Sequence, residues 1–351
     1  MATPGTASRW HDVETSARYL LRRLGTAVVA LLGVTLIVFL LSRNVGDPVY
    51  LLVGQQGTPE QIAALREEHG FNRPWHVQYL DYLAGLLQGD LGESIFNGKP
   101  VTEEIATYFP ATLELAISAL AVGVLITVPL GVVAALRPRS WIDRFASGFV
   151  RFGIAMPAFW LGILLIYVFV YSLGIAPAPT GELDIGLISP PEVTGMTVVD
   201  AALAGQWDVF RNAVAHLVLP TLTLAIAAFP ALLALTRNVT ERVLRSDFMR
   251  TARATGLPPR VAYGRYALRN VAPPIVTQCA MTFGYLLGGT VLVETVFAWP
   301  GIGQYSVLSM QRLDFAPVLG VALVTSAAYL TLYFLADVMA LAIDPRIRHQ
   351  R

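Results

Sequence analysis

The chain has 351 residues, 55% of them hydrophobic and 14% charged, with a mean hydropathy of +0.57. A water-soluble globule carries about 25% charged residues, so the composition excludes one and indicates a membrane protein. Lys and Arg number 25 against 24 Asp and Glu, which leaves no basic field for nucleic acid, and the single cysteine, Cys279, cannot form an internal disulfide or a multi-cysteine zinc site.

Crossing roughly 30 Å of hydrocarbon takes about 20 mostly apolar residues, because lipid offers the backbone no other hydrogen-bond partners. Six stretches qualify: 24–42, 111–136, 152–173, 213–236, 273–297 and 317–343. Residues 1–23 precede the first as a cytosolic segment. Arg22 and Arg23 before an apolar run also suit a secretory signal, but the run ends in Leu41-Ser42-Arg43-Asn44 rather than a small-x-small cleavage site, so a span is expected. Residues 43–110 form an extracytoplasmic helical subdomain. Thr58-Pro59-Glu60-Gln61 opens one helix with a capping box and Gly70 stops it; a second starts near Pro74-Trp75, places Tyr79, Leu80, Leu83, Leu86 and Leu87 on one face, and ends at Gly89. Such a pair is read as cover for the neighbouring spans.

Basic residues choose the orientation because they resist translocation. The odd-side segments 1–23, 137–144, 237–272 and 344–351 hold 18 Lys and Arg, against 6 in 43–110, 174–212 and 298–316. Both termini are therefore expected in the cytosol, with 344–351 as a cytosolic tail. The loop 237–272 alone holds eight arginines. Ser246 or Asp247 can cap a short helix there, Gly256 supplies a left-handed stop, and Pro258-Pro259 forbids continuation. A helix of two or three turns that cannot span reads as a protrusion that docks on a partner; an interfacial helix on anionic lipid is the alternative.

Several chemistries are missing. The only lysine, Lys99, stands in Gly98-Lys99-Pro100, so no phosphate-cradling P-loop exists; no two histidines lie at i and i+4, and no Gly-x-Ser-x-Gly elbow occurs. No metal site and no catalytic residue is expected. Four ionisable residues fall within or at the ends of spans: Glu114, Arg151, Glu294 and Asp337. Charge at membrane depth marks a pathway or a partner. Snorkelling is the competing account, with Glu114 and Glu294 reaching outside water and Arg151 inside water. Gly284-Tyr285-Leu286-Leu287-Gly288 permits close helix contact.

The segment Asp247-Phe248-Met249-Arg250-Thr251-Ala252-Arg253-Ala254-Thr255-Gly256-Leu257-Pro258 resembles the EAA loop of permease subunits in the dipeptide/oligopeptide/nickel ABC importers. The resemblance extends through Gly46-Asp47-Pro48, Leu65-Arg66-Glu67-Glu68-His69-Gly70, Gly89-Asp90-Leu91-Gly92, Trp299-Pro300-Gly301-Ile302-Gly303 and Asp344-Pro345-Arg346, over essentially the whole chain. Arg250 and Thr251 stand where Glu and the first Ala are usual, so no role of that glutamate carries over, whereas Ala252 and Gly256 match.

The resemblance implies an all-α, six-helix type I importer permease, with 111–343 as its core, in a bacterial inner membrane. It implies pairing with a second, similar permease and docking on two ATP-binding cassette subunits through the helix bearing Asp247, Arg250, Thr251, Ala252, Arg253, Ala254 and Gly256. An extracytoplasmic binding protein would deliver a di- or oligopeptide, or alternatively nickel or another small solute. ATP and Mg would bind the partner subunits, and this chain would hold no cofactor and catalyse nothing. An ATP-independent secondary transporter is the rival class; an inverted repeat would favour it and none is evident.

Overall fold

The computed structural model describes residues 7–44, 58, 60, 63, 64, 67 and 72–343. The Thr58 capping-box helix, Gly46-Asp47-Pro48, the Leu65 to Gly70 motif and the tail 344–351 lie wholly or largely outside the described residues. Among those described the chain is helical, with no strand beyond an isolated bridge between Glu93 and Pro100. Four helices are long and apolar enough to cross a membrane, and six spans result when two bent pairs count as one each.

Helix α1, Ala7–Asn44, carries the first span. Helix α2, Trp75–Leu87, lies beside it outside: the Tyr79 hydroxyl meets Thr35 Oγ1 at 2.9 Å, and Phe39 packs on Tyr79 and Tyr82. The expected apolar face is thus only partly used. Leu80 and Leu87 remain exposed, because α1 offers α2 a narrow seam rather than a groove.

Helix α3, Val101–Leu136, starts inside the segment assigned to the outer subdomain and, at 36 residues, is about 54 Å long. Glu103 and Glu104 in its first turn suit the positive end of the helix dipole. Helix α4, Trp141–Ala155, begins at a reciprocal cap in which Ser140 Oγ accepts from the Asp143 N–H and Asp143 Oδ2 accepts from the Arg139 N–H at 2.9 Å.

The expected third span, 152–173, is broken. Pro157 lacks an N–H and forces Met156 into an extended conformation (φ −95°, ψ 124°), so α4 meets α5, Ala158–Ile166 with its π-helical continuation Tyr167–Ser172, at 105°. Helix α6, Thr197–Leu203, is a short outer helix. The expected fourth span straddles α7, Trp207–Ala228, and α8, Pro230–Leu244, which part at Phe229 because Pro230 cannot continue the donor ladder. Helix α9 is Asp247–Ala254.

The fifth span bends by 54° at Thr290 between α10, Leu268–Gly289, and α11, Val291–Phe297. Helix α12, Ile302–Gln311, and α13, Phe315–Ile343, complete the chain. The core gathers Leu115 and Ala119 of α3, Leu224 of α7, Phe229, Leu232 of α8, Leu286 of α10, Phe297 and Trp299. Helices α10 and α13 pack most extensively, and Gly284 is part of the reason: a side chain there would collide with the Tyr329 ring. Gly288 faces open space, so only the first glycine of the pair makes the close contact.

Candidate functional site

The short helix between the fourth and fifth spans forms as its grammar requires. Ser246 adopts an extended N-cap conformation, although its hydroxyl donates to the Val243 carbonyl at 2.5 Å instead of capping. Gly256 takes φ +72°, the left-handed stop, and nothing lies within 4 Å of where its Cβ would be. Close backbone approach within this chain is therefore not what requires glycine there; the positive φ is.

Helix α9 has two faces. Met249 is buried with Ala262 and Ala267, next to Val243 and Leu244, and Ala252 is buried too, so Ala252 offers little to a partner. Asp247, Phe248, Arg250, Thr251 and Ala254 face outward. Arg250 and Asp247 approach to 3.6 Å but are both strongly exposed, an arrangement that contributes little. Arg253 also bonds within the chain. Its Nη2 donates to the Leu244 carbonyl at 2.8 Å and its Nε to Met249 at 3.2 Å, so its guanidinium ties α9 to the carbonyl end of α8 while the residue stays exposed.

Away from α9, Glu294 and Glu114 are both buried, against the snorkelling account of them. Glu294 is fully enclosed: one oxygen accepts from the hydroxyls of Thr112 (2.8 Å) and Thr290 (2.7 Å), the other from the Gln304 N–H (3.0 Å). The segment Trp299-Pro300-Gly301-Ile302-Gly303 wraps this carboxylate. Ala298 turns left-handed at φ 52°, the indole N–H of Trp299 donates to the Ala111 carbonyl at 2.9 Å, and the Ile302 N–H donates to Thr112 Oγ1 at 2.9 Å. A Cβ on Gly303 would lie 2.7 Å from Glu294 Oε2, and one on Gly301 would strike Glu294 and Thr112, so the motif's glycines let the backbone close over the acid. The glutamate is a knot joining α3, α11 and α12.

Glu114 is 4% exposed and accepts from the Val198 N–H at 2.9 Å, while its Oε2 has no partner. Arg151 is exposed, as expected, and its Nε donates to the Ser147 carbonyl at 3.1 Å. Asp337 sits on α13, its side chain outside those described. Glu114, Arg151 and Glu294 thus bond to different partners.

Two cavities open away from α9 as well. One of about 470 Å³ lies between the start of α3 and the 182–200 loop, with Glu182, Glu192 and Asp200 on its wall. Burial pushes the Glu182 carboxyl up. For Asp200 burial acts upward too, but hydrogen bonds from the Thr194 hydroxyl and from the N–H groups of Thr194, Val193 and Gly195 prevail and hold it below the usual carboxylate range. The other cavity, about 320 Å³, is lined by Glu104, Tyr108, Tyr305, Arg312 and Asp314. Asp314 anchors the 94–97 turn by accepting from Ser94 Oγ at 2.6 Å, and Glu104 accepts from the Tyr305 hydroxyl.

Residue-level reading missed Thr112 and Thr290, for which a hydroxyl inside an apolar span was the available signal. It also missed the Asp143–Arg237 ion pair at 2.6 Å, whose partners lie 94 positions apart. Among the described residues no group of three or more His, Cys, Asp or Glu could hold a metal ion.

Comparison with known proteins gives the wider context. Residues 127–349 match the family described as binding-protein-dependent transport system inner membrane component, and residues 16–116 match the N-terminal region of such membrane components. The chain is 43% identical over 321 residues to a probable D,D-dipeptide transport system permease protein, DdpB, of Escherichia coli, covering 91% of this chain and 94% of that one. It is 38% identical over 335 residues to a di/tripeptide transport system permease protein, DppB, of Pseudomonas aeruginosa, covering 95% and 99%. The inward-facing MetNI methionine ABC transporter aligns with 67% of this chain and 93% of its own at 19% identity and a TM-score of 0.48, too slight a likeness to bear on the fold. With both family regions matched in order and the relatives spanned almost end to end, the chain belongs to the inner-membrane components of binding-protein-dependent ABC transport systems.

Proposed function

We propose that this chain forms half of the translocation path of an ATP-driven importer of di- or oligopeptides, paired with a second, similar permease. Two ATP-binding cassette subunits, carrying ATP and Mg, dock in the cytosol on the outer face of α9, and a binding protein delivers peptide from outside. Both termini are cytosolic. The observation that carries this reading is α9 itself. It is fastened by Met249 and Arg253 and buries Ala252, while Asp247, Phe248, Arg250, Thr251 and Ala254 stand outward. A stiff, seated helix with an open face is what a mechanical contact needs. Similarity to dipeptide and di/tripeptide permeases supports peptide over nickel as cargo.

The test is purification of the chain from its native membrane in mild detergent, with mass spectrometry of what accompanies it. A second permease and two ATP-binding subunits are expected. Uptake driven by an ion gradient, with no ATP-binding subunit in the preparation, would overturn the reading.

A further inference from the structure

Helix α8 ends where α9 begins, and Arg253 binds the two together through the Leu244 carbonyl at 2.8 Å. A push on α9 therefore reaches α8 through this bond, as well as the 262–267 segment on which Met249 packs. Helix α8 touches α4 along its first two turns. At its start the Pro230 ring packs on Gly153, where a Cβ would lie 2.7 Å from the Ile226 carbonyl and strike the proline. Seven residues on, about 10 Å along the axis, Arg237 Nε donates to Asp143 Oδ1 at 2.6 Å. Between the two contacts, fully buried Leu233 packs with Ala146. The contacts at Pro230 and Leu233 are apolar and can slide, whereas the charge-assisted bond of Arg237 fixes the register of the two helices.

We propose that Arg237 is a positioning residue that makes α8 and α4 a single lever, through which movement of the docking helix reaches α5 and the outer knot. The proposal rests on the importer reading above. Asp143 is aimed in advance, because its other oxygen accepts from the Arg139 N–H at 2.9 Å within the α4 cap. The pair is partly buried, with side-chain exposures of 28% for Arg237 and 10% for Asp143, so its charge-assisted bond is shielded better than a surface pair. Arg237 also lies 3.8 Å from Glu241 and 3.5 Å from Asn238 Oδ1, both on α8, and neither reaches α4. Beyond the 105° corner at Met156-Pro157, Gly162 of α5 faces Phe297 and Val296 of α11, the helix that carries Glu294. The route thus runs from α9 through α8, α4 and α5 to α11 without a gap.

The experiment reconstitutes the complete complex with its binding protein in proteoliposomes and measures radiolabelled dialanine taken up per ATP hydrolysed, for wild type, Arg237→Gln and Arg237→Lys. The ratio separates coupling from stability, since a merely structural loss lowers uptake and hydrolysis together. Arg237→Gln is expected to retain its ATP-binding subunits and to hydrolyse ATP while uptake per ATP falls about tenfold, because the charged half of the bond is lost. Arg237→Lys should recover most of the ratio. If Arg237→Gln does not assemble, Asp143→Asn decides, since its amide oxygen still accepts from Arg139 and spares the cap. A wild-type ratio in whichever variant assembles would overturn the lever while leaving the importer reading intact. Absence of ATP-driven uptake by the wild-type complex would instead overturn the importer reading, and the lever with it.

Discussion

Thr112→Val tests the knot at its most loaded atom. The Thr112 hydroxyl donates to Glu294 at 2.8 Å and accepts from the Ile302 N–H at 2.9 Å, and the residue is fully buried. Valine has nearly the same shape, so no cavity term enters. Loss of the bond to Glu294 contributes about 0.6 kcal/mol, the average for polar contacts between membrane helices, whose unfolded reference finds other partners within the bilayer. The Ile302 N–H differs. It is the first N–H of α12, which has no acceptor within the helix and is solvated by water on unfolding, so leaving it buried and unpaired costs about 1–3 kcal/mol. Together the substitution should destabilise by about 2–3 kcal/mol. Thr112→Ser keeps the oxygen and loses one methyl, roughly 0.8 kcal/mol. Reversible unfolding in mixed micelles, followed by tryptophan fluorescence because Trp299 packs in the knot, compares the two. A Thr112→Val protein as stable as Thr112→Ser would refute the account of Glu294 as a structural acid held by fixed donors.

Gly256→Glu should insert and fold with a local penalty of about 1 kcal/mol from its left-handed φ, yet abolish uptake by the reconstituted complex; normal uptake would mean that α9 is not the coupling contact. In a Cys279→Ala background, cysteine at Gly256 should react with an impermeant maleimide from the cytosolic side only, and cysteine at exposed Glu192 from outside only; the reverse pattern would invert the topology. Asp200, whose folded value is depressed, contributes stability present above the unfolded value near 3.9 and lost as pH falls through the lower folded one. Thermal unfolding of Asp200→Asn should therefore start weaker at neutral pH and lose less than wild type below about pH 4, and parallel profiles would refute that assignment.

What was legible in the sequence was what is local. Apolar length located the spans, and Gly256 with Pro258-Pro259 bounded α9 correctly, whereas the break at Pro157 inside the expected span 152–173 was not read. The sizes of the bends were not legible, since a proline states that a helix must yield and its neighbours decide by how much. Glu294 shows the other limit. Its sequence neighbours suggest an acid near outer water, but Thr112, 182 positions earlier, arrives with the donors that enclose it. Arg253 adds a tie that its sequence neighbours do not show: its guanidinium donates to the Leu244 carbonyl at the end of α8.

The corner at Pro157 has a consequence for the surrounding lipid. Helix α5 with its π turn has fifteen residues, about 22 Å at 1.5 Å per residue, against a hydrocarbon layer of roughly 30 Å. Helix α4, set almost perpendicular to it, adds little height. It carries Trp141, Phe145 and Ile154 as exposed apolar side chains beside Arg144 and Arg151, the make-up of a segment resting at the headgroup boundary. Along that flank the bilayer must thin to meet α5 or give way to protein. Because mismatch is charged at a fraction of a kcal/mol per Å, thicker membranes place a growing strain on this one edge, and a neighbouring subunit that covers it relieves that strain. Acyl-chain length is thereby written into the stability of the assembly through the geometry of a single proline.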